Sequence, residues 1–274
     1  MPAAVFGLVA AIANAAQSIM SKELTTRHPA RQLIGPLFAF NALLLLPLAP
    51  LMPWVWSPLI VGLHLASVGL MVATAICIWD LFDAGAASAV TTAGALSPIA
   101  TAIGVAVVVP DAFRPWQAVA ALVVVVGVLV ALRDAFGTMG RRGSVLRIIG
   151  AAAGTGFLTV VARALGDSGV GVVETYVVRT SLATAIFMVA IPARDIGASE
   201  IPRLFLRSVV VTIYFVALII GAQSGSPVTV QTIVATTPLM VLGWESWRTG
   251  TAPSRAAVVA AAIVVVGVAG TLLA

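Results

Sequence analysis

The segment SAVTTAGALSPIATAIGVAVVV (88–109) decides how this chain is built. Its ends are as apolar as a lipid tail. Its middle carries hydroxyls, glycines and Pro98, which lacks the N–H of a helical residue and clashes with the carbonyl of Gly94. Slide the chain by 140 residues and the segment finds a partner. SAVTTAGALSP (88–98) falls on VTVQTIVATTP (228–238), so Thr92 meets Thr232 and Pro98 meets Pro238. In the same register AVAALVVVVGV (118–128) falls on VVAAAIVVVGV (258–268), and Gly127 meets Gly267. The first helices agree more weakly, with Lys22 meeting Arg163 at a shift of 141.

The solvent of this chain is lipid. Of 274 residues 61% are hydrophobic and only 9% are charged, against about 25% charged in a soluble domain. Apolar runs of about 20 residues recur, the length that crosses a bilayer as a helix. The runs predict spans over 2–21, 32–52, 58–79, 86–109, 116–132, 145–164, 171–191, 204–223, 227–247 and 256–273. An alternating strand pattern is absent, and a backbone in hydrocarbon has to satisfy its own hydrogen bonds. The predicted fold is all-α: a polytopic membrane protein with ten transmembrane helices arranged as two inverted five-helix repeats. Residues 1–133 form the first repeat, 134–144 a basic linker and 145–274 the second. Five spans per half is an odd number, so the second half enters the membrane facing the other way. Such halves pack about a pseudo-two-fold axis in the membrane plane, with a substrate site near the midplane between them.

Several function classes fall away. The net charge of +5 is spread as single cations and small loop groups between spans, a membrane-protein pattern and not a nucleic-acid footprint. One cysteine, Cys77, permits no intrachain disulfide, and with His28 and His64 it makes no metal-ligand cluster. Neither a metal nor a cofactor is expected. An intramembrane enzyme is disfavoured, because GxSxG, paired carboxylates and metal spacing are all missing; no P-loop offers ATP hydrolysis. The N-terminus lacks the positive n-region of a signal peptide, so its apolar run is expected to be a retained first span.

Polar residues inside spans usually face a bundle interior or a cavity. Asn14, Gln17, Ser18 and Ser21 share one helical face. So do His64, Ser67, Met71 and Thr74; Thr155 and Thr159; Tyr176, Arg179 and Thr180; and Thr229, Thr232 and Thr236, with Gln231 beside them. The candidate cavity lining is Asn14, Gln17, Ser18, His64, Thr92, Tyr176, Arg179, Gln231, Thr232 and Thr236. Pro98 and Pro238 are the candidate bends. The competing account of each hydroxyl is an ordinary interhelical hydrogen bond, about 0.6 kcal/mol on average. Arg179 is the most expensive of the set; it binds an anionic group, pairs with Glu174 or a helix-end carbonyl, or snorkels. His64 either carries a coupling proton or is simply hydrogen-bonded. GAAAG (150–154) and GAQSG (221–225) allow close helix approach, within the chain before between copies.

The stretch 87–132 resembles the last two helices of an EamA-type repeat of the drug/metabolite transporter superfamily: a small-residue helix, a central proline, an acid about 13 residues on, and a closing helix with glycine. Here these are Pro98, Asp111 and Gly127; the second copy has Pro238 and Gly267, with Thr251 in place of the acid. The resemblance implies a secondary or facilitative transporter or exporter of a small polar metabolite, such as an amino acid, working by alternating access in the cell (inner) membrane. Its partners are the substrate and the bilayer; a homodimer is left open. A lipid-linked head-group flippase on the same scaffold is the alternative. Orientation also stays open. Lys22, Arg27, Arg31, the cations of 133–147, Arg194, Arg203, Arg207, Arg248 and Arg255 fall on one face, with Arg114 and Arg163 on the other. The positive-inside rule then puts both termini outside, whereas the resemblance implies termini inside.

Overall fold

The computed structural model describes residues 2–84, 91, 93–131, 142–191, 196–250, 252 and 255–273. Among them every regular element is helical: α1 (Pro2–Thr25), α2 (Ala30–Leu45), α3 (Pro58–Ala84), α4 (Ser97–Val108), α5 (Pro115–Ala131), α6 (Arg142–Asp167), α7 (Val172–Ala190), α8 (Ile201–Ser224), α9 (Pro227–Val234), α10 (Thr237–Thr249) and α11 (Arg255–Leu273), with three short 3-10 turns. Seven helical segments are long and apolar enough to cross a membrane, counting α9 and α10 as one. Shorter apolar helices, Ala93–Val108, Pro115–Val130 and Val258–Leu272, stand where the fourth, fifth and tenth spans are predicted. Thr92 and most of the linker 134–144 lie outside the described residues.

The molecule is polar inside and apolar outside. Val107, Val189 and Val266 are 76%, 86% and 68% exposed, while Ser67, Thr101, Thr175, Gln231 and Thr232 are fully buried. In water that distribution exposes far more contiguous apolar surface than a monomer tolerates. In lipid it is the stable one, because hydrocarbon solvates valine and leaves hydroxyls and amides to one another. This is a multi-pass membrane protein.

The ends of the helices gather into two faces. On one, Arg31 and Arg147 both pair with Asp80, at 2.9 and 3.2 Å, and Arg27 reaches Glu200 at 3.6 Å. This joins the end of α1, the start of α2, the end of α3, the start of α6 and the approach to α8. On the other face, Ser226 donates to Gln117 Oε1 at 2.5 Å, and Val170 packs with Ile60 and Val55. Exposed Trp54, Trp56 and Trp116 flank this face and exposed Trp244 and Trp247 the first, as aromatic residues do at the two membrane interfaces.

Glycines set the closest approaches. A Cβ on Gly127 of α5 would meet Val264 and Ile263 side chains at 2.9 and 3.0 Å and the Ala260 carbonyl at 3.2 Å. A Cβ on Gly267 of α11 would meet Val124 at 2.6 Å and the Ala120 carbonyl at 3.0 Å. Later residues of α5 thus face earlier residues of α11 and the reverse, so the two helices run antiparallel. Gly150 faces Cys77 on α3, Gly156 faces the Ser97 carbonyl and Ala100 on α4, and Gly221 and Gly225 face Val230 and Ala3. The small-residue stretches 150–154 and 221–225 therefore serve packing within this chain. The other extensive pairings are α1 with α8, α3 with α6, α2 with α7, α4 with α6, α1 with α9, α2 with α8 and α3 with α7.

Candidate functional site

Both prolines sit at helix breaks, and both are buried. Before Pro98 the chain turns at Leu96, and Ser97 Oγ donates to the Gly94 carbonyl at 2.6 Å. Before Pro238 it turns at Ala235 and Thr236, and Thr237 Oγ1 donates to the Val234 carbonyl at 2.6 Å. In each case the hydroxyl next to the proline takes the carbonyl that the missing N–H leaves free. That matters in a bilayer, where an unmet carbonyl costs several kcal/mol.

Between the breaks lies a cavity of about 90 Å³, well above the ~10–15 Å³ that one water needs. Its polar wall is Asn14, Gln17 and Ser18 of α1, Asn41 of α2, Thr74 of α3, Thr91, Thr155 of α6 and Arg207 of α8; Phe38, Trp79, Tyr214 and Phe215 supply an aromatic side. Three of the candidate residues, Asn14, Gln17 and Ser18, are thus on the wall. A hydrogen-bond chain crosses it. Arg207 Nη2 donates to Gln17 Oε1 at 2.9 Å, Gln17 Nε2 to Asn14 Oδ1 at 2.8 Å, and Asn14 Nδ2 to Thr237 Oγ1 at 3.2 Å. The last hydroxyl then donates to the Val234 carbonyl at the second break. Each group is used in the direction its chemistry allows.

Of the remaining described candidates, His64, Tyr176, Arg179, Gln231 and Thr232 are buried off the wall and Thr236 is half-buried. Gln231 Oε1 of α9 lies 2.8 Å from Ser97 Oγ and shares the hydroxyl proton with the Gly94 carbonyl, while Gln231 Nε2 donates to the Thr155 carbonyl at 3.4 Å and to Thr159 Oγ1, tying the first break to α6. Thr232 donates to the Val228 carbonyl of its own helix, and Thr236, in the turn, to the Ile233 carbonyl. Tyr176 shares a 2.7 Å hydrogen bond with Thr212. Arg179 donates to Ser67 Oγ at 2.5 Å and to the Leu158 carbonyl at 3.4 Å. Its partners are thus a serine hydroxyl and a mid-helix carbonyl, while Glu174 turns to His64, Oε1 to Nε2 at 3.8 Å. Neither ring nitrogen of His64 has a hydrogen-bond partner among the described residues.

The chain places two charged residues where its sequence is hard to read. Arg207 counts among the loop cations by position, yet it is 7% exposed and on the cavity wall. It lies in the second turn of α8, which begins at Ile201. Glu174 is in the first turn of α7 and is 1% exposed. The signal available for Arg207 was Ser208, Thr212 and Gln223 continuing a polar stripe along the same helix.

Comparison with known proteins meets this geometry. Residues 142–273 match the EamA-like transporter family model. The second half of the chain is an EamA-like transporter domain. This domain carries α6 to α11, and with them Thr155, Arg207 and Pro238. One solved structure, described only as "Crystal structure of protein", superposes with a TM-score of 0.79 at 18% identity, over 99% of this chain and 96% of that one. At that identity the likeness speaks to fold alone. A search of curated proteins found no match.

Proposed function

We propose that this protein carries a small polar metabolite across the cell (inner) membrane by alternating access, with the cavity between the two proline breaks as the substrate site. The halves are residues 1–133 and 145–274, joined by the linker 134–144, and they act as two inverted five-helix repeats in a ten-span bundle. The helix pairings support this. Exchange each helix of the first half with its counterpart in the second, and α1–α8 becomes α6–α3, α4–α6 becomes α10–α1, and α2–α8 becomes α7–α3. The reciprocal contacts of Gly127 and Gly267, 140 positions apart, survive the same exchange. Antiparallel packing of these two equivalent helices is what an inverted repeat requires.

The observation that carries the proposal is the buried polar cavity itself, bracketed by two breaks in the same repeat register. A polar chamber inside lipid is costly unless it is used. Breaks whose free carbonyls are already met by Ser97 and Thr237 bend without exposing backbone to hydrocarbon. Rocking of the halves about these bends opens the chamber to either side. Six helices supply its wall, α1, α2, α3, α6, α8 and α9, together with Thr91 and Gly94 before α4, which favours an enclosed substrate over a lipid-linked head group in a lateral groove. The test is counterflow in proteoliposomes: purified protein, vesicles preloaded with unlabelled amino acids or monocarboxylates, and labelled substrate outside. Transient accumulation of label is expected. Its absence across the whole panel sinks the proposal.

A further inference from the structure

Arg207 differs from the ion-paired arginines and from buried Arg179 in what surrounds it. Arg27, Arg31, Arg147, Arg163 and Arg203 each stand within ion-pair distance of a carboxylate. Arg179 is sealed against Ser67 and Leu158 and does not reach the cavity. Arg207 has only neutral partners among the described residues: Ser21 Oγ at 3.0 Å, Gln17 Oε1 at 2.9 Å, and the ring of Trp79, whose centroid lies 5.2 Å from the guanidinium carbon. It is also the one formally charged side chain on the described wall. A guanidinium has five N–H donors, and these contacts leave some of them to the cavity. A buried cation without a counter-ion is unstable by several kcal/mol, and here the open side is the substrate chamber.

We propose that Arg207 is the anchor for a carboxylate carried by the substrate. A carboxylate supplies the missing charge and accepts from the guanidinium in a bidentate pair. Phe38, Trp79, Phe215 and Leu218 receive an apolar body beyond it. Asn14 and Asn41 offer amides to an amino group, so an α-amino acid or a short monocarboxylate fits and an organic cation is repelled. Because Gln17 and Asn14 connect Arg207 to the Val234 carbonyl, a ligand that pulls on the guanidinium also loads the second break. This inference rests on the cavity being the substrate site, as the preceding section proposes.

The experiment compares acids with their neutral and cationic analogues on purified full-length protein. Thermal stabilisation in detergent is titrated with free α-amino acids, C2–C6 monocarboxylates, the matching amides and the matching amines, on wild type, R207K and R207Q. Some acids are expected to stabilise the wild type, with their amides and amines inactive. R207Q is expected to weaken those acids about 30-fold or more, with R207K in between. Amides as effective as acids, acid affinity unchanged in R207Q, or no acid effective at all overturns the assignment. If R207Q does not fold, the acid-against-amide comparison on wild type and the R207K titration decide it. Counterflow with the same panel separates the two proposals. Acid-specific binding without flux sinks transport and leaves the anchor standing; flux indifferent to acid or amide and to R207Q sinks the anchor and leaves transport standing.

Discussion

Arg179 and Arg207 are both buried, and the difference between them lies in what their free donors face. The Arg179 guanidinium is bonded to Ser67 and Leu158 between α3, α6 and α7. Ser67→Ala is therefore expected to lower stability by about 1–3 kcal/mol, because it leaves a donor on a buried charge unmet; melting in detergent measures it. His64 Nε2 and Glu174 Oε1 face each other at 3.8 Å, both side chains buried. A double-mutant cycle of His64→Leu and Glu174→Leu is expected to show a coupling energy of about 0.5–3 kcal/mol. Additive effects would mean the pair does not interact. The polar faces of α1 and α3 were legible from residue spacing alone, since 3.6 residues per turn puts Asn14, Gln17, Ser18 and Ser21 together. The roles of Glu174 and Arg207 were not. Each lies within two turns of a helix start, where a sequence looks the same whether a side chain reaches outward to the interface or inward to the core.

The helices bend where hydroxyls compensate for prolines. Ser97→Ala frees the Gly94 carbonyl and Thr237→Val frees that of Val234. Each is expected to cost about 1–3 kcal/mol, with the Thr237 variant losing the Asn14 contact as well. Chemical denaturation in micelles reads both; equal stability of either variant and wild type would show that another group takes over the carbonyl. Close packing is the second feature at this scale. Gly127→Leu drives a side chain into Val264 and the Ala260 carbonyl, and a loss of about 1–3 kcal/mol is expected from overpacking. The proline breaks could be anticipated from Pro98 and Pro238, because proline removes a hydrogen bond wherever it stands in a helix. The turn residues and the choice of Ser97 and Thr237 as the compensating donors depend on rotamers, and rotamers depend on neighbouring helices.

At the scale of the molecule, α1 ends on the face where α6 begins, beside the Asp80 cluster. Single cysteines at Thr26 and Ser168, in a Cys77→Ala background, are accordingly expected to react with an impermeant maleimide from opposite sides of the membrane. Labelling of both from the same side would exclude the inverted arrangement. The same pair of variants fixes which face is cytoplasmic. The positive-inside rule assigns that role to the face of Arg27, Arg31, Arg147 and Arg203, a count that stands without Arg207, which is inside the bundle.

Composition by itself determined the solvent and the secondary structure: 9% charge leaves no water-facing surface, and hydrocarbon accepts only a backbone bonded to itself. The register of 140 between Pro98 and Pro238 pointed to two related halves, since repeated punctuation survives where apolar residues interchange freely. The cavity, its wall and the isolation of Arg207 were decided only by tertiary structure. Polar side chains on six segments converge there, and helical spacing states which residues share a face but not which face meets which. That choice is made by close contacts between helices distant in sequence, such as Gly127 against Val264 and Gly156 against Ser97.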